Sequence, residues 1–382
     1  MTATALRPSP TSLTDTPAPA VRPPAYFERR GPANVILASF AFLTLPVAAV
    51  VLLLPDADAP FRLYFWLLGG THIVVTLTVY GSRANRSHFA TDRRAVAVFV
   101  AAPVLIVAAY VACFSLKMAG AVPLAAVAFW AFVRFMNFFH LTRQTFGVLQ
   151  LFKARARGQF PAWGKRCENG TGLALVAALM VTHAAGGICP LFLGVSNPLY
   201  TPSLSAEWLI PLWLACVAAA VGLFAASAVG LVRAKPANGS REAVLYFAFQ
   251  FLGTVAAAFF LPLYLASLAI HYVEYHVLMV PRIAAQPLDP ECRIDRTFGW
   301  LRARPLAFVA VILILSALVT TGMGSMDFLP PADSELIAWG VVLSAFDALV
   351  LIHYVLEMFI WKFSDPHFRR SMNGVYFTPR AV

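Results

Sequence analysis

The chain has 382 residues, of which 60% are hydrophobic and only 12% are charged, and its formal net charge is +11. Soluble domains of average composition contain about 25% charged residues, so this composition argues against a soluble protein and predicts several membrane-spanning helices. The basic residues lie mostly in short polar segments between apolar runs, which is typical of membrane topology and does not indicate nucleic acid as a partner. The five cysteines form no Cys-x-x-Cys pair and indicate neither a disulfide framework nor a zinc site.

Residues 1–31 are rich in Pro, Thr and Ala without apolar periodicity, and they are predicted to form a disordered cytoplasmic tail. Residues 32–363 are predicted to form one all-α, polytopic transmembrane helical bundle, and residues 364–382 a cytoplasmic C-terminal tail. A membrane span needs about 20 mostly apolar residues. The first six runs of this kind are Ala33–Leu54, Arg62–Tyr80, Val96–Phe114, Ala121–Phe139, Thr171–Pro190 and Glu207–Val232.

The next apolar run, Ala243–Pro281, has 39 residues and is too long for one span. As a single helix it would measure about 60 Å, roughly twice the thickness of the hydrocarbon layer. Pro262 lies at its middle and is predicted to divide it into two spans joined by a tight turn. Two further runs, Leu306–Met323 and Glu335–Trp361, bring the predicted total to ten spans.

Charge supports this count, because gaps rich in Lys and Arg alternate along the chain with gaps that carry acidic residues. The alternation holds throughout ten spans only if both termini are cytoplasmic. The basic gaps contain Arg83–Arg94, Lys153–Arg166, Arg233–Arg241 and Arg282–Arg304, and the acidic gaps contain Asp56, Asp58, Glu207, Asp327 and Asp333.

Ionisable residues also occur inside the predicted spans, where they are costly unless they face the bundle interior. The eighth span contains Ala-Ile-His271-Tyr-Val-Glu274-Tyr275-His276, and the tenth contains Leu-Ile-His353-Tyr-Val-Leu-Glu357. His72 lies in the second span and His140 in the fourth. All of these positions fall in the middle or cytoplasmic half of the bilayer, as one shared site would require.

Helical spacing places several of these side chains on common faces. His271, Glu274 and Tyr275 share one face of the eighth span, and His353 and Glu357 share one face of the tenth. His276 lies about 140° around the helix from His271 at about 100° per residue. Both could bind one ion only if this helix were bulged or wound differently there.

Imidazole and carboxylate groups together are typical ligands of a first-row transition metal, non-haem iron above all. The predicted ligands are His72, His140, His271 and His353, with His276 as an alternative or a fifth. Glu274 and Glu357 would accept hydrogen bonds from the imidazole N–H groups, or bind the metal directly. Other candidate catalytic residues are Tyr275, beside Glu274, and Arg143 and Gln144, which would orient substrate or stabilise charge near the cytoplasmic mouth. A structural ion-pair network that uses Arg134 and Arg143 is the alternative to a metal.

The order of these segments resembles the Brp/Blh family of bacterial membrane β-carotene dioxygenases, which make retinal. Phe259–His276 is similar to the Pro-broken hairpin and Ile-His-x-x-x-His helix of that family, although the two histidines here are five residues apart rather than four. Ile352–Trp361 resembles its late Pro-His helix, and Phe139-His140 and Gly70-Thr-His72 resemble its other histidine helices. The likeness is at motif level and covers about half of the chain. It implies an iron ion bound by imidazoles within a helical bundle.

The sequence therefore predicts an integral membrane oxidoreductase of a bacterial-type inner (plasma) membrane, with several membrane passes. The expected activity is that of a non-haem iron oxygenase, and the expected partner is a lipophilic small molecule such as a carotenoid, an isoprenoid or a lipid chain in the membrane. Another transition metal is the alternative to iron. A proton-coupled transporter that uses the same buried groups and a haem-binding membrane protein are the alternatives to an oxygenase. The sequence does not fix the substrate or the oligomeric state.

Overall fold

The computed structural model describes residues 26–53, 58–118, 124–192, 206–234, 241–322, 334–361 and 365–377. These residues form helices and turns, and they include no β-strand beyond an isolated bridge between Ile188 and Phe260. In chain order the described α-helices are α1 (Arg30–Leu53), α2 (Asp58–Tyr64), α3 (Thr71–Leu77), α4 (Arg83–Thr91), α5 (Arg93–Val96), α6 (Ala102–Met118), α7 (Leu124–Ala156), α8 (Ala162–Ala184), α9 (Ala206–Arg233), α10 (Arg241–Phe259), α11 (Tyr264–Ala285), α12 (Arg293–Arg302), α13 (Pro305–Gly322), α14 (Ser334–Ile360) and α15 (Pro366–Tyr376).

Within the described ranges, six helical segments are long and apolar enough to cross a membrane. They are Gly31–Leu53, Arg62–Gly81, Arg93–Leu116, Trp208–Arg233, Arg241–Phe259 and Leu261–Ala285. A seventh is added if α12 and α13, which are bent by 107° relative to each other, form one span. Six or seven is fewer than the ten spans predicted from the sequence. The predicted division at Pro262 is confirmed, because α10 ends at Phe259, a turn follows, and α11 begins at Tyr264.

Large apolar side chains are exposed on the outer faces of several helices. Leu306 on α13, Trp208 on α9 and Phe42 on α1 are each more than 70% exposed. Water disfavours such surfaces, whereas lipid chains around a helical bundle would cover them. The ionisable side chains described below have the opposite distribution and lie inside the bundle.

Both ends of the described chain pack onto the bundle. Residues 1–25, which form most of the predicted N-terminal tail, lie outside the described residues. Phe27 is fully buried with its ring 5.5 Å from that of Phe152, so the packed structure begins before residue 32. Within the predicted C-terminal tail, α15 buries Phe368 and Tyr376, and the hydroxyl of Tyr376 donates to the carbonyl oxygen of Leu278 at 2.6 Å. This part of the predicted tail is therefore a helix that packs against α11.

The second predicted span contains a change of helical winding. Between α2 and α3, residues Phe65–Gly70 form a π-helical segment that ends just before His72. Unusual winding in the eighth span was the condition for His271 and His276 to bind one ion together, and α11 does not meet it, because it is a regular α-helix around both residues. Gly70 packs so closely against α13 that an added Cβ would lie 2.9 Å from the carbonyl oxygen of Ser316. Glycine is therefore required there to bring α3 and α13 together.

The site depends on four neighbouring helices. α14 packs against α3 and α7, and α11 packs against the same two helices. Each pair is in contact through buried side chains, so polar groups on their facing sides are removed from solvent together. This arrangement places residues from four distant parts of the chain around one point.

Candidate metal centre

Five buried side chains from these helices meet inside the bundle. They are His72 on α3, His140 on α7, His271 on α11, and His353 and Glu357 on α14. Each is at most 3% exposed, and one ligand atom from each lies within 4.8 Å of the others. The predicted convergence of the four histidines is confirmed, and Glu357 completes the group. We refer to these five residues as the histidine cluster.

The interatomic distances have the scale of a metal coordination shell. His140 Nε2 lies 3.2 Å from His271 Nε2 and 3.2 Å from Glu357 Oε2. With metal–ligand bonds of about 2.1 Å, two donors at this separation subtend about 100° at the metal. Glu357 Oε1 lies 3.9 Å from His72 Nε2, and the ring centroids of His72 and His353 are 4.3 Å apart. One ion could therefore contact all five side chains.

Several buried nitrogen atoms of the cluster lack partners. Both ring nitrogens of His72, Nδ1 of His271 and Nε2 of His353 have no hydrogen-bond partner among the described residues. Buried polar atoms are nearly always paired, so a group of unpaired ones requires an explanation. A neutral imidazole has one lone pair in the ring plane, which a metal ion can accept. An ion that takes one nitrogen from each ring would account for Nε2 of His353 and for one nitrogen of His72, so the donor set fits a transition metal.

The charge of Glu357 leads to the same conclusion. This carboxylate is buried, and in the described part of the chain its ion-pair distances are to histidines only, with no Lys or Arg within 4 Å. A buried carboxylate without a cation carries a large desolvation cost. A divalent cation among the imidazoles would compensate the charge of Glu357.

Thr76 connects the cluster through hydrogen bonds and was not predicted from the sequence. Its Oγ1 lies 2.6 Å from His353 Nδ1 and 2.7 Å from the hydroxyl of Tyr275, and it donates to Glu357 Oε1 at 3.3 Å. The same oxygen also lies 3.2 Å from the carbonyl oxygen of His72, so its single proton is shared between this carbonyl and Glu357 Oε1. A His353 tautomer with its proton on Nδ1 would donate to Thr76 and would present the lone pair of Nε2 to the cluster. The available signal was spacing, because Thr76 lies four residues after His72 on the same helix.

Glu274 has a different environment from the one predicted. Its Oε1 accepts a hydrogen bond from Gln250 at 2.8 Å, and its Oε2 accepts one from Gln144 at 3.5 Å. Gln144 also donates to the carbonyl oxygen of His271 at 3.0 Å. Glu274 therefore accepts from amides rather than from imidazole N–H groups, because His271 Nδ1 has no partner among the described residues. Its contacts join α7, α10 and α11 beside His271.

His276 lies outside the cluster. Its Nε2 is 3.2 Å from Thr71 Oγ1, and its Nδ1 is 2.6 Å from the carbonyl oxygen of Tyr272. Both nitrogens are thus occupied, and the regular winding of α11 keeps His276 around the helix from His271. The structure does not bring His276 to the position of a fifth ligand, which Glu357 takes instead.

Two cavities reach the cluster from opposite ends. The Tyr354 cavity, about 210 Å³, touches three of the histidines. Its lining includes His72, His271, His353, Tyr110, Trp130, Arg134, Asn137, Tyr264, Tyr272, Asp347 and Tyr354. The Arg143 cavity, about 590 Å³, touches the other two members. Its lining includes His140, Glu357, Phe139, Arg143, Gln144, Phe146, Gln150, Lys165, Leu278, Met358, Phe359 and Trp361.

Comparison with known proteins places this chain in no group. No protein family, no curated protein and no solved structure matches it. The function must therefore be argued from the cluster and its surroundings.

Proposed function

We propose that the histidine cluster binds a non-haem iron ion and that the protein is a membrane oxygenase acting on a lipophilic substrate. The observation that carries this proposal is the meeting of four imidazoles and one carboxylate within 4.8 Å, inside a bundle of apolar helices. Mixed imidazole and carboxylate ligands suit iron among the first-row metals. The motif-level resemblance to the Brp/Blh family supports the same choice.

The number of donors suits an ion that must react. His72, His140, His271, His353 and Glu357 would hold the ion with five donors, which would leave room for an exogenous ligand on a six-coordinate metal. One carboxylate leaves a divalent ion with a single net positive charge, and imidazoles supply the remaining donors without charge. When bound, iron would supply the activation of dioxygen. The protein would hold the imidazoles in place, orient His353 and Glu357 through Thr76, and exclude bulk water from the interior.

A lipophilic substrate suits the surroundings of the cluster. The two cavities are lined largely by aromatic and aliphatic side chains, and helices with exposed apolar surfaces enclose them. A substrate dissolved in the bilayer could enter between helices without passing through water. Of the alternatives, a haem is disfavoured because a porphyrin leaves only two axial positions for protein, whereas five side chains converge here. No observation favours a transporter.

We also propose that α7, α8 and α14 cross the membrane, which restores ten spans with cytoplasmic termini in a bacterial-type inner membrane. These helices have 33, 23 and 27 residues, and about 20 are sufficient. Reporter fusions after Val382 should report a cytoplasmic location, and fusions within residues 324–334 an external one. An external C-terminus would refute ten spans.

Metal analysis together with an absorption spectrum of the purified protein tests the function. The expected result is about one iron per chain and no Soret band. Protein that contains a Soret-absorbing haem, or that takes up no transition metal, would refute the proposal. Oxygen consumption should then depend on both iron and an added lipophilic substrate.

A further inference from the structure

The Arg143 cavity differs from an ordinary apolar pocket in its charge. It extends from His140 and Glu357 to Gln150 and Lys165, beside α7, α8 and α14. Its volume of about 590 Å³ lies within the range of small-molecule sites, which is about 300–1,000 Å³. Two cations, Arg143 and Lys165, contribute to its wall.

Among the residues that the structure describes, neither cation has an anionic partner. Arg143 is partly buried, donates to the neutral Asn169 Oδ1, and stacks over the ring of Phe146 at 4.9 Å. Lys165 lies one helical turn before Asn169 on α8, so both cations belong to one end of the cavity. In the described part of the chain, no carboxylate lies within ion-pair distance of either. Nearby Lys153, by contrast, is paired with Glu168 at 2.7 Å.

Most of the remaining cavity wall is apolar, apart from two glutamines and the cluster members His140 and Glu357. Phe139, Phe146, Met358 and Phe359 line the same cavity as the two cations and the two cluster members. Arg143 follows His140 by three residues, which is about 4.5 Å along the helix axis. A negatively charged group held by Arg143 and Lys165 would therefore leave the adjoining apolar chain against His140 and Glu357.

We propose that the Arg143 cavity binds the substrate and that this substrate is a single-chain amphiphile with an anionic head, either a carboxylate or a phosphate. The head lies between Arg143 and Lys165, and the chain lies along Phe139, Phe146 and Met358. This inference rests on the proposed oxygenase function and narrows its substrate class. The Tyr354 cavity suits such a head less well, because it is smaller and its lining has one cation, Arg134, beside the carboxylate of Asp347. The Arg143 cavity has two cations and one carboxylate.

Binding of matched amphiphiles to the purified full-length protein tests this inference. The protein is placed in phosphatidylcholine nanodiscs, and the probes are hexadecanoate, hexadecyl phosphate and uncharged hexadecanol. The wild type should bind at least one of the anions about 10-fold more tightly than hexadecanol, as expected for charge-assisted hydrogen bonds. The two anions distinguish a carboxylate head from a phosphate head.

Three variants assign the preference to the cavity. Arg143→Gln and Lys165→Gln should each reduce the preference for the anion to about 3-fold or less. Arg166→Gln removes a neighbouring exposed charge on α8 that does not line the cavity, and it should keep the full preference. Lys165 is itself exposed, so its variant tests the inference even if Arg143→Gln fails to fold.

Some outcomes would overturn the inference. Equal affinity for the anions and hexadecanol, or an equal loss in Arg166→Gln and Lys165→Gln, would show that no anion site exists in this cavity. Iron content measured on the same samples separates the two proposals. Protein with iron but no anion preference refutes the substrate class alone, whereas an anion preference without bound metal supports the anion site and refutes the oxygenase.

Discussion

Two buried glutamates in this bundle have opposite surroundings. Glu168 on α8 and Glu357 on α14 are each 3% exposed. Glu168 accepts from Lys153 Nζ at 2.7 Å and from Gln150 Nε2 at 2.9 Å, so its charge is compensated within the chain. Glu357 lies among imidazoles and hydrogen bonds with Thr76, and no described Lys or Arg is within 4 Å.

The difference indicates the role of each site. At Glu168, the charge of the buried carboxylate is compensated by Lys153 on the adjacent helix, and no further group is required. The four imidazoles, three of which have unpaired nitrogens among the described residues, are a poor substitute for a lysine, because neutral imidazoles bring no charge. A cation from outside the chain would complete the surroundings of Glu357, whereas those of Glu168 are complete within the chain. Each prediction below tests one side of this comparison.

The largest expected effect is the loss of metal when a member of the histidine cluster is removed. His271→Ala should reduce bound metal from about one per chain to below about 0.1, since it removes a ligand and opens the coordination shell. The matched control is His276→Ala on the same helix, which should retain metal because both ring nitrogens of His276 contact Thr71 and Tyr272. Metal analysis of both purified variants checks this. If the two variants lost metal equally, His271 would be no more important for metal binding than its neighbour His276, and it would not be a ligand.

The next effect concerns Glu168. Lys153→Met should lower the free energy of unfolding by about 3–5 kcal/mol, because it leaves a buried carboxylate without its cation. The double variant Lys153→Met with Glu168→Leu should recover most of this loss, since it removes both charges. Denaturation of each variant in detergent measures the stability, and metal content should stay unchanged. A change in metal content would show that the two glutamates are not independent.

Glu357→Gln should reduce metal affinity by about 10- to 100-fold, because the amide keeps the shape but not the charge. The stability of the metal-free protein should not fall, since the variant removes a buried charge that lacks a cation within the chain. Lys153→Met should therefore lower stability and leave metal content unchanged, whereas Glu357→Gln should lower metal affinity and leave stability unchanged or higher. Chelator competition measures the affinity, and complete loss of metal would make Glu357 an indispensable ligand.

These contrasts also show what the sequence could predict. An ionisable residue inside an apolar run is visible locally, so His72, His140, His271 and His353 were predicted together, as was the helix break at Pro262. Whether a side chain faces a particular neighbour depends on how helices rotate and pack. The contact of Glu274 with Gln250 could not be read from spacing alone. The separation of His276 from the cluster, by contrast, follows from its position about 140° around the helix from His271. Thr76 was missed because a threonine inside a membrane helix commonly bonds only to its own backbone.

Thr76 supports the smallest effect in this series. Thr76→Val keeps the shape of the side chain but removes the hydroxyl that contacts His353, Tyr275 and Glu357. Metal affinity should fall by about 10-fold, because His353 and Glu357 lose a shared orienting partner while all five ligands remain. Thr76→Ser should restore most of the affinity, since it keeps the hydroxyl. Thr78→Val is the matched control. Thr78 lies two residues after Thr76, and its hydroxyl donates to the carbonyl oxygen of Val75, which is not part of the histidine cluster. If Thr76→Val and Thr78→Val change the affinity equally, Thr76 only packs against the cluster and does not orient its ligands.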